Sequence, residues 1–497
     1  MITISKLNEV FFKIDCDSGI KQELSEFFKF QADNYKYTPA FKCGMWDGYI
    51  RLFNIKNNTI YSGLTNHIKK FCDINKYKIN DPDNLLTIDN KIKKSKVDEF
   101  IDSLGLSSKQ QLLEVRDYQR AAIYNVINHN KVVLLSATSS GKSMMIYSLF
   151  RYYQQRGLKC LLIVPTTSLV EQMFNDFLDY SSLNQWPVDN YTQKLYSGHS
   201  KIIDKQILIS TWQSLFSITK DNNKFLSDFD VVLVDECHLV PGKSLSTILE
   251  KCKYAKYRIG TTGTLTNCLA NTLQIEGLLG PVSTVITSKQ LIDNKQATDL
   301  KIKCLILNYP IEIKKLTKNL LYQEELFYLV QNENRNRFII NLARSLKGNT
   351  LILFQLVEKQ GKVLKQMLDD YQHEKPIYYI SGSVNVDERE EIRTKFGTDD
   401  NSILIASYQC CSTGINIPSI TNIIFASPTK SKVRSLQSIG RGLRLSTKKE
   451  YCNLYDIADN LSYKRHVNFT LSHLGERLKQ YSNEEFNYKL IQVDFTG

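Results

Sequence analysis

Six small residues, Ser136-Ala137-Thr138-Ser139-Ser140-Gly141, run into Lys142 and Ser143, and the octet stands between an apolar run, Val132-Val133-Leu134-Leu135, and an amphipathic stretch beginning Met144-Met145. Small side chains let backbone N–H groups turn inward on a phosphate chain, and the first turn of a helix adds the positive end of its dipole. In a strand–loop–helix of this kind Thr138, Ser139, Ser140 and Gly141 cradle the phosphates, Lys142 reaches the outer ones, and the Ser143 hydroxyl ligates Mg²⁺. The strict pattern for such loops has Gly where this chain has Ser136.

Further along, Asp235-Glu236-Cys237-His238 follows another apolar run. A carboxylate at a strand end holds Mg²⁺ through water, and a second one beside it polarises the attacking water. Asp235 is therefore expected at the metal and Glu236 as general base. Arg441 and Arg444 lie three apart in Gln437-Ser438-Ile439-Gly440-Arg441-Gly442-Leu443-Arg444, on one face if the segment is helical. Facing a γ-phosphate they would act as arginine fingers, contributing roughly 10³ to 10⁵ in rate; alone, such a helix would bind nucleic-acid phosphates. Gln119, with Arg116 nearby, offers a donor and an acceptor that match the adenine edge and so select ATP.

These residues need strand ends to hold them. Continuous apolar runs at 132–135, 161–164, 207–209 and 231–234, with a further strand around 258–260, read as a parallel α/β lobe buried on both faces, whose ligands sit beyond the strand C-termini. A looser segment, 283–294, then leads to a second set at 351–354, 377–380, 403–406, 423–426 and 451–454. That second lobe has no phosphate loop, so it is expected to contribute to the chemistry in trans. Hydroxyl-bearing strand-end loops around Thr166, around Thr211 and Trp212, and at Thr413 and Gly414 are candidate contacts to nucleic-acid phosphates, although Thr166–Ser168 would serve equally as a helix cap. Thr261-Thr262-Gly263-Thr264 is placed to couple the nucleotide site to the track.

The 497 residues leave room for roughly three domains. A 42% apolar fraction excludes a disordered chain, and the net charge of +13 suits a protein that handles a polyanion. Eleven cysteines without Cys-x-x-Cys pairs read as reduced thiols. No secretory signal is expected, nor any apolar run near the roughly 20 residues that span a bilayer. Residues 1–110 read as a small α+β unit. Its stretch from Tyr37 to Arg51 interleaves aromatics with cations, with Asp47-Gly48 as a hairpin turn over Trp46. Beyond 461 the chain reads as a basic helical extension in which Lys464, Arg465, His466, Arg477 and Lys479 are candidate nucleic-acid contacts, a solvated charged face being the alternative.

Together, Gln119, Gly141-Lys142-Ser143, Asp235-Glu236-Cys237-His238, Thr262-Gly263-Thr264, Thr413-Gly414 and Gln437 to Arg444 resemble the motif set of superfamily 2 helicases, and of the T-even phage recombination helicases among them. The resemblance implies an α/β fold of two RecA-like parallel-sheet lobes with a small N-terminal α+β domain and a short helical C-terminal extension. The boundaries are 1–110 (nucleic-acid binding), 111–285 (first lobe, ATP-binding), 286–460 (second lobe) and 461–497. It implies an ATP- and Mg²⁺-dependent DNA helicase, with Gln437 among the nucleotide contacts. Such an enzyme unwinds R-loops and D-loops, migrates Holliday junctions, regresses stalled forks and anneals strands. Its implied partners are branched duplex DNA, single-stranded DNA, RNA–DNA hybrids and phage recombination proteins, met as a monomer in the host cytoplasm. Asn416, where many members carry Asp facing the ribose, departs from the pattern. The alternatives are an RNA helicase and an ATP-switched DNA-binding and annealing protein.

Overall fold

The computed structural model describes residues 1–32, 35–86, 92–196, 202–221, 225–265, 268–371, 375–412, 417, 419–428, 439–440, 443 and 449–496. The chain divides into two compact units, Met1–Ser136 with Ser140–Ile286 and Ala137–Ser139 with Thr287–Gly497.

The first unit begins with a small α+β domain. Strands β1 (Ile2–Lys6), β2 (Phe11–Asp15), β3 (Phe53–Asn54), β4 (Thr59–Tyr61) and β5 (Ile79–Asn80) form a sheet in the order β3-β4-β2-β1-β5. Alternation along β1 and β2 sends Ile2, Ile4, Phe12 and Ile14 into a core shared with helices α1 (Ser18–Phe27) and α2 (Thr65–Asn75). Asp47-Gly48 is not a hairpin turn: Tyr49–Arg51 pairs with Lys29–Gln31, and the intervening chain folds into short helices that include Pro39–Lys42. Trp46 is half-buried, its Nε1 donating to Tyr49 O at 2.9 Å.

A seven-stranded sheet makes up the rest of this unit: β6 (Lys131–Ser136), β7 (Cys160–Val164), β8 (Thr192–Leu195), β9 (Ile207–Thr211), β10 (Val231–Asp235), β11 (Tyr257–Thr262) and β12 (Val282–Ile286), ordered β8-β9-β7-β10-β11-β6-β12. Every pairing is parallel. Helices α3 (Asp117–Asn128), α4 (Lys142–Gln154), α5 (Thr167–Tyr180), α6 (Lys243–Lys251) and α7 (Leu269–Leu279) belong to this lobe, and its apolar clusters lie between helices and sheet. Strands β7, β9 and β10 are buried along their whole length, which is why each reads as an unbroken apolar run. The two edge strands escaped that signal. Residues 283–294, expected as a looser connection, hold most of β12 and the helix Ser288–Asp293, because an edge strand mixes Ser and Thr with Val and Ile.

The N-terminal domain is fastened to this lobe. Lys131, buried at the start of β6, donates to Glu9 O at 2.8 Å and Ser62 Oγ at 2.7 Å, and burial pushes its ammonium down to about 7. Tyr61 OH donates to Glu250 Oε1 at 2.6 Å, and His67 Nε2 lies 2.7 Å from Glu276 Oε2. Backbones also meet: a Cβ on Gly63 would collide with the carbonyl oxygen of Glu276 in α7. Gly63→Ala is therefore expected to cost about 1–3 kcal/mol and to raise the rate of proteolytic separation of the N-terminal domain. Wild-type melting and protease resistance in that variant would show that the contact does not hold the domain.

In the second unit β13 (Asp299–Asn308), β14 (Asn349–Phe354), β15 (Ile377–Ile380), β16 (Ile403–Ser407), β17 (Ile420–Phe425), β18 (Tyr451–Asn460) and β19 (Tyr488–Asp494) form another all-parallel sheet, ordered β15-β16-β14-β17-β18-β13-β19. Numbered within its own lobe, each sheet follows the same order, 3-4-2-5-6-1-7, so one architecture occurs twice. The C-terminal stretch is helical over α9 (Phe469–Asn483), but β19 follows and completes the sheet. Its mostly exposed sequence YKLIQVD, in which Lys, Gln and Asp break up the apolar residues, hides it as an edge strand. Asp456 and Asp459, three apart on β18, face opposite sides of the sheet. Asp459 binds Arg335 of α8 (Glu333–Ser345) through Nε at 2.8 Å, and Asp456 binds Arg477 of α9 through Nε and NH2, both at 2.8 Å. All four side chains are fully buried. Arg477 is thus a clamp on the core and not a surface contact for nucleic acid.

Candidate active site

The loop between β6 and α4 owes its shape to two left-handed residues, Ser139 at φ 70° and Gly141 at φ 86°. Gly141 is also required sterically, since a Cβ there would collide with the Gln119 amide. Ser136, which replaces the expected glycine, hydrogen-bonds through Oγ to Ser140 Oγ at 2.6 Å and so ties the two ends of the loop together. Lys142 Nζ donates to Ser136 O at 3.0 Å, and Ser143 Oγ is 2.8 Å from Tyr180 OH at the end of α5.

Asp235 and Glu236 stand at the C-terminal end of β10, one strand removed from β6 across β11. Asp235 is buried and accepts from Thr261 Oγ1 at 2.7 Å. Burial, and then the Glu236 charge, push its carboxyl up to about 6, against the pull of Lys142 and the Thr261 hydrogen bond. Glu236, just past the strand, adopts a left-handed conformation at φ 54°. Its Oε2 lies 3.2 Å from His238 Nδ1 and 3.4 Å from Thr262 Oγ1, and Thr262 Oγ1 donates to Thr264 O at 2.9 Å.

Gln119 is buried and its amide is used at both ends. Oε1 accepts from Arg116 N at 2.9 Å, and Nε2 donates to Ser140 O at 2.8 Å. Tyr118 OH donates to the same carbonyl at 3.0 Å while accepting from Arg116 NH1 at 2.9 Å. This cluster braces the phosphate loop from the start of α3. Sequence reasoning missed Tyr118, Tyr180 and the Thr261 clamp on Asp235, because a tyrosine at a helix end and a threonine in a buried strand are ordinary residues until the fold brings them to the site.

The donor set suits a nucleotide with its divalent ion. A loop with two left-handed residues at a helix N-terminus, with a lysine beside it, accepts phosphate oxygens. A buried carboxyl raised by desolvation gains from a cation, and Ser143 supplies a second oxygen. Of the other expected contacts, Thr166 caps α5 by accepting from Leu169 N at 3.4 Å, Thr211 accepts from Ser214 N at 3.3 Å, and Trp212 packs against the lobe core. Thr413, Gly414, Asn416, Gln437, Arg441 and Arg444 lie outside the described residues. Among the described residues, no helix is long and apolar enough to cross a membrane.

Three family models match in succession: the N-terminal model of DNA helicase UvsW over residues 4–81, that of the type III restriction enzyme res subunit over 112–267, and the helicase conserved C-terminal domain over 334–446. The ATP-dependent DNA helicase uvsW of Enterobacteria phage T4 is 32% identical over 501 residues, covering 97% of each chain. The crystal structure of T4 UvsW superposes with a TM-score of 0.53 at 31% identity, over 99% of each chain. A putative ATP-dependent RNA helicase of Acanthamoeba polyphaga mimivirus is 24% identical, over 72% of this chain and 69% of its own.

Proposed function

We propose, for a chain that belongs to the family of the phage T4 ATP-dependent DNA helicase uvsW, that ATP hydrolysis at the β6–β10 site drives the remodelling of branched DNA. By that membership the chain is an ATP-dependent DNA helicase. Its substrates in this reading are Holliday junctions, D-loops, R-loops and stalled forks, and it anneals complementary strands. Its setting is the host-cell cytoplasm, among phage recombination proteins, and it acts as a monomer. The observation that carries the reading is the N-terminal domain, matched by the UvsW N-terminal model and fastened to the first lobe through Lys131, Tyr61 and His67. A nucleic-acid-binding domain that moves with a motor lobe gives a second grip on DNA, which separating or migrating a branch requires and tracking on one duplex does not.

In the site, Ser139, Ser140 and Gly141 with Thr138 cradle the phosphates, Lys142 neutralises the outer ones, and Ser143 and Asp235 hold Mg²⁺. The metal supplies charge neutralisation on the phosphates. Glu236 takes the proton of the attacking water, and Arg441 and Arg444 stabilise the transition-state charge. Gln119 sets the loop, and through it the adenine side, with Arg116. Thr166, Thr211, Trp212, Thr413 and Gly414 hold the DNA backbone, and Gln437 the nucleotide. The annealing follows from a net charge of +13, which lets one molecule neutralise two strands.

The test is ATP hydrolysis and strand separation with a four-way junction, a linear duplex and structured RNA. Junction-stimulated turnover is expected in the wild type. Lys142→Ala is expected to lower turnover by about 10²- to 10³-fold and to abolish unwinding while DNA binding persists. Stimulation by structured RNA above that by the junction would favour the RNA-helicase reading that the mimivirus relative suggests.

A further inference from the structure

The face of the N-terminal sheet turned toward the first motor lobe is unlike an ordinary polar face: its aromatics are partly buried against that lobe and also line a cleft. Alternation that buries Phe12, Ile14 and Ile60 puts Phe11 and Lys13 of β2 beside Tyr61 and Thr59 of β4 on the other side, in register. Phe11 and Tyr61 stack with ring centroids 5.1 Å apart and planes 24° from parallel. Across from them stands the first motor lobe, with Glu250 of α6 and Lys253 just beyond it, and the two walls enclose a cleft of about 620 Å³. That lies within the roughly 300–1,000 Å³ of small-ligand pockets.

The cleft has cations but little to neutralise them. Lys13 and Lys253 make no ion pair among the described residues, whereas Arg51 pairs with Asp47 and Glu250 accepts from Tyr61 OH. Two amides lie at its rim. Asn8 Oδ1 accepts from Val10 N and Phe11 N at 2.8 and 2.9 Å, and Asn54 Oδ1 accepts from Lys56 N and Asn57 N at 3.0 and 3.2 Å. Both side chains are thereby fixed, and each keeps its NH₂ group as a donor. Aromatic surface for a base, unpaired lysines for phosphates and fixed amide donors for a base edge are the components of single-strand recognition on a sheet.

We propose that this cleft binds single-stranded DNA, seating an unpaired nucleotide against Phe11 and Tyr61 with flanking phosphates on Lys13 and Lys253. The inference rests on the reading of the chain as a DNA-remodelling helicase and adds where a displaced strand is held. Because one wall is the N-terminal domain and the other the motor lobe, both in the same unit, the strand held there moves with that lobe.

The test measures full-length protein against a short fluorescein-labelled oligo(dT) and a blunt duplex of the same length by anisotropy. With the charge-reversing pair Lys13→Glu and Lys253→Glu, oligo(dT) affinity is expected to fall at least about tenfold. The slope of log affinity against log salt should become shallower by about 1.4, or 0.7 for each phosphate lost, with duplex affinity changed less. Lys70→Glu, the same change as at either lysine of the pair but at an exposed position of α2 outside the cleft lining, should stay within about twofold of wild type. An oligonucleotide carrying 5-iodouracil should photocrosslink to the peptide containing Phe11 or that containing Tyr61, which reads the site without any variant. Unchanged oligo(dT) binding in the folded double variant, equal losses for duplex and single strand, or crosslinks confined to other peptides would each overturn the cleft. Those results leave junction unwinding by the wild type untouched, so the cleft can fail while the helicase reading stands.

Discussion

Glu236→Gln stops ATP hydrolysis, by roughly 10²- to 10⁴-fold, the range that a positioned general base contributes. Glutamine keeps the shape of the side chain and the approach of Thr262 Oγ1 at 3.4 Å, but it cannot take up a proton. The backbone explains why this carboxylate and not its neighbour is expected to do so. Asp235 lies in the strand, is buried, and is already bound by Thr261, whereas Glu236 stands just past the strand at φ 54° and is only partly buried. Nucleotide binding should persist in the variant, since the Ser136–Ser140 and Lys142–Ser136 hydrogen bonds that shape the phosphate loop are made without Glu236. Hydrolysis is measured by phosphate release with and without junction DNA, and binding by a fluorescent ATP analogue. Near-wild-type turnover in Glu236→Gln would remove the residue from the chemistry.

Arg477→Met destabilises the second lobe by about 3–5 kcal/mol, because it leaves Asp456 fully buried with its charge uncompensated. Tyr481 OH, 2.9 Å from Asp456 Oδ2, supplies one hydrogen bond but no charge. Removing both partners, with Asp456→Leu added, is expected to recover much of the loss, as replacing a whole buried pair by apolar residues often does. The measurement is urea unfolding of the full chain, following the second-lobe transition, alongside DNA affinity of whatever fraction stays folded. A variant as stable as wild type but weaker on DNA would return Arg477 to the surface role that its sequence context suggested. The expected result is the opposite, a loss of stability at unchanged affinity of the folded protein.

That arginine marks where sequence patterns stop being informative. In isolation, a helix reading SHLGERLKQYS has a basic residue of no particular distinction, and nothing local says that Asp456 on β18 will be its partner. The Gln119 amide is engaged in the same way, by Arg116 N three residues away and by Ser140 O 21 residues away, and neither partner is marked in the local sequence. Edge strands β8, β12 and β19 gave no continuous apolar run, since a strand with only one neighbour need not be apolar on both faces.

What the amino-acid sequence determined by itself was local. Gly141 and the small residues before Lys142 fix the loop, the fully buried runs of β7, β9, β10, β14 and β16 fix the central strands, and the Asp235-Glu236 pair follows directly from its strand. Each depends on conformational preferences and burial that act over a few neighbours. The tertiary structure alone decided the Thr261 clamp on Asp235, the two buried Arg–Asp pairs, the fastening of the N-terminal domain through Lys131 and the cleft beside Phe11 and Tyr61. These join groups far apart in the chain, and a charge or hydroxyl acquires its role there only from the low-dielectric surroundings and the partner that packing delivers to it.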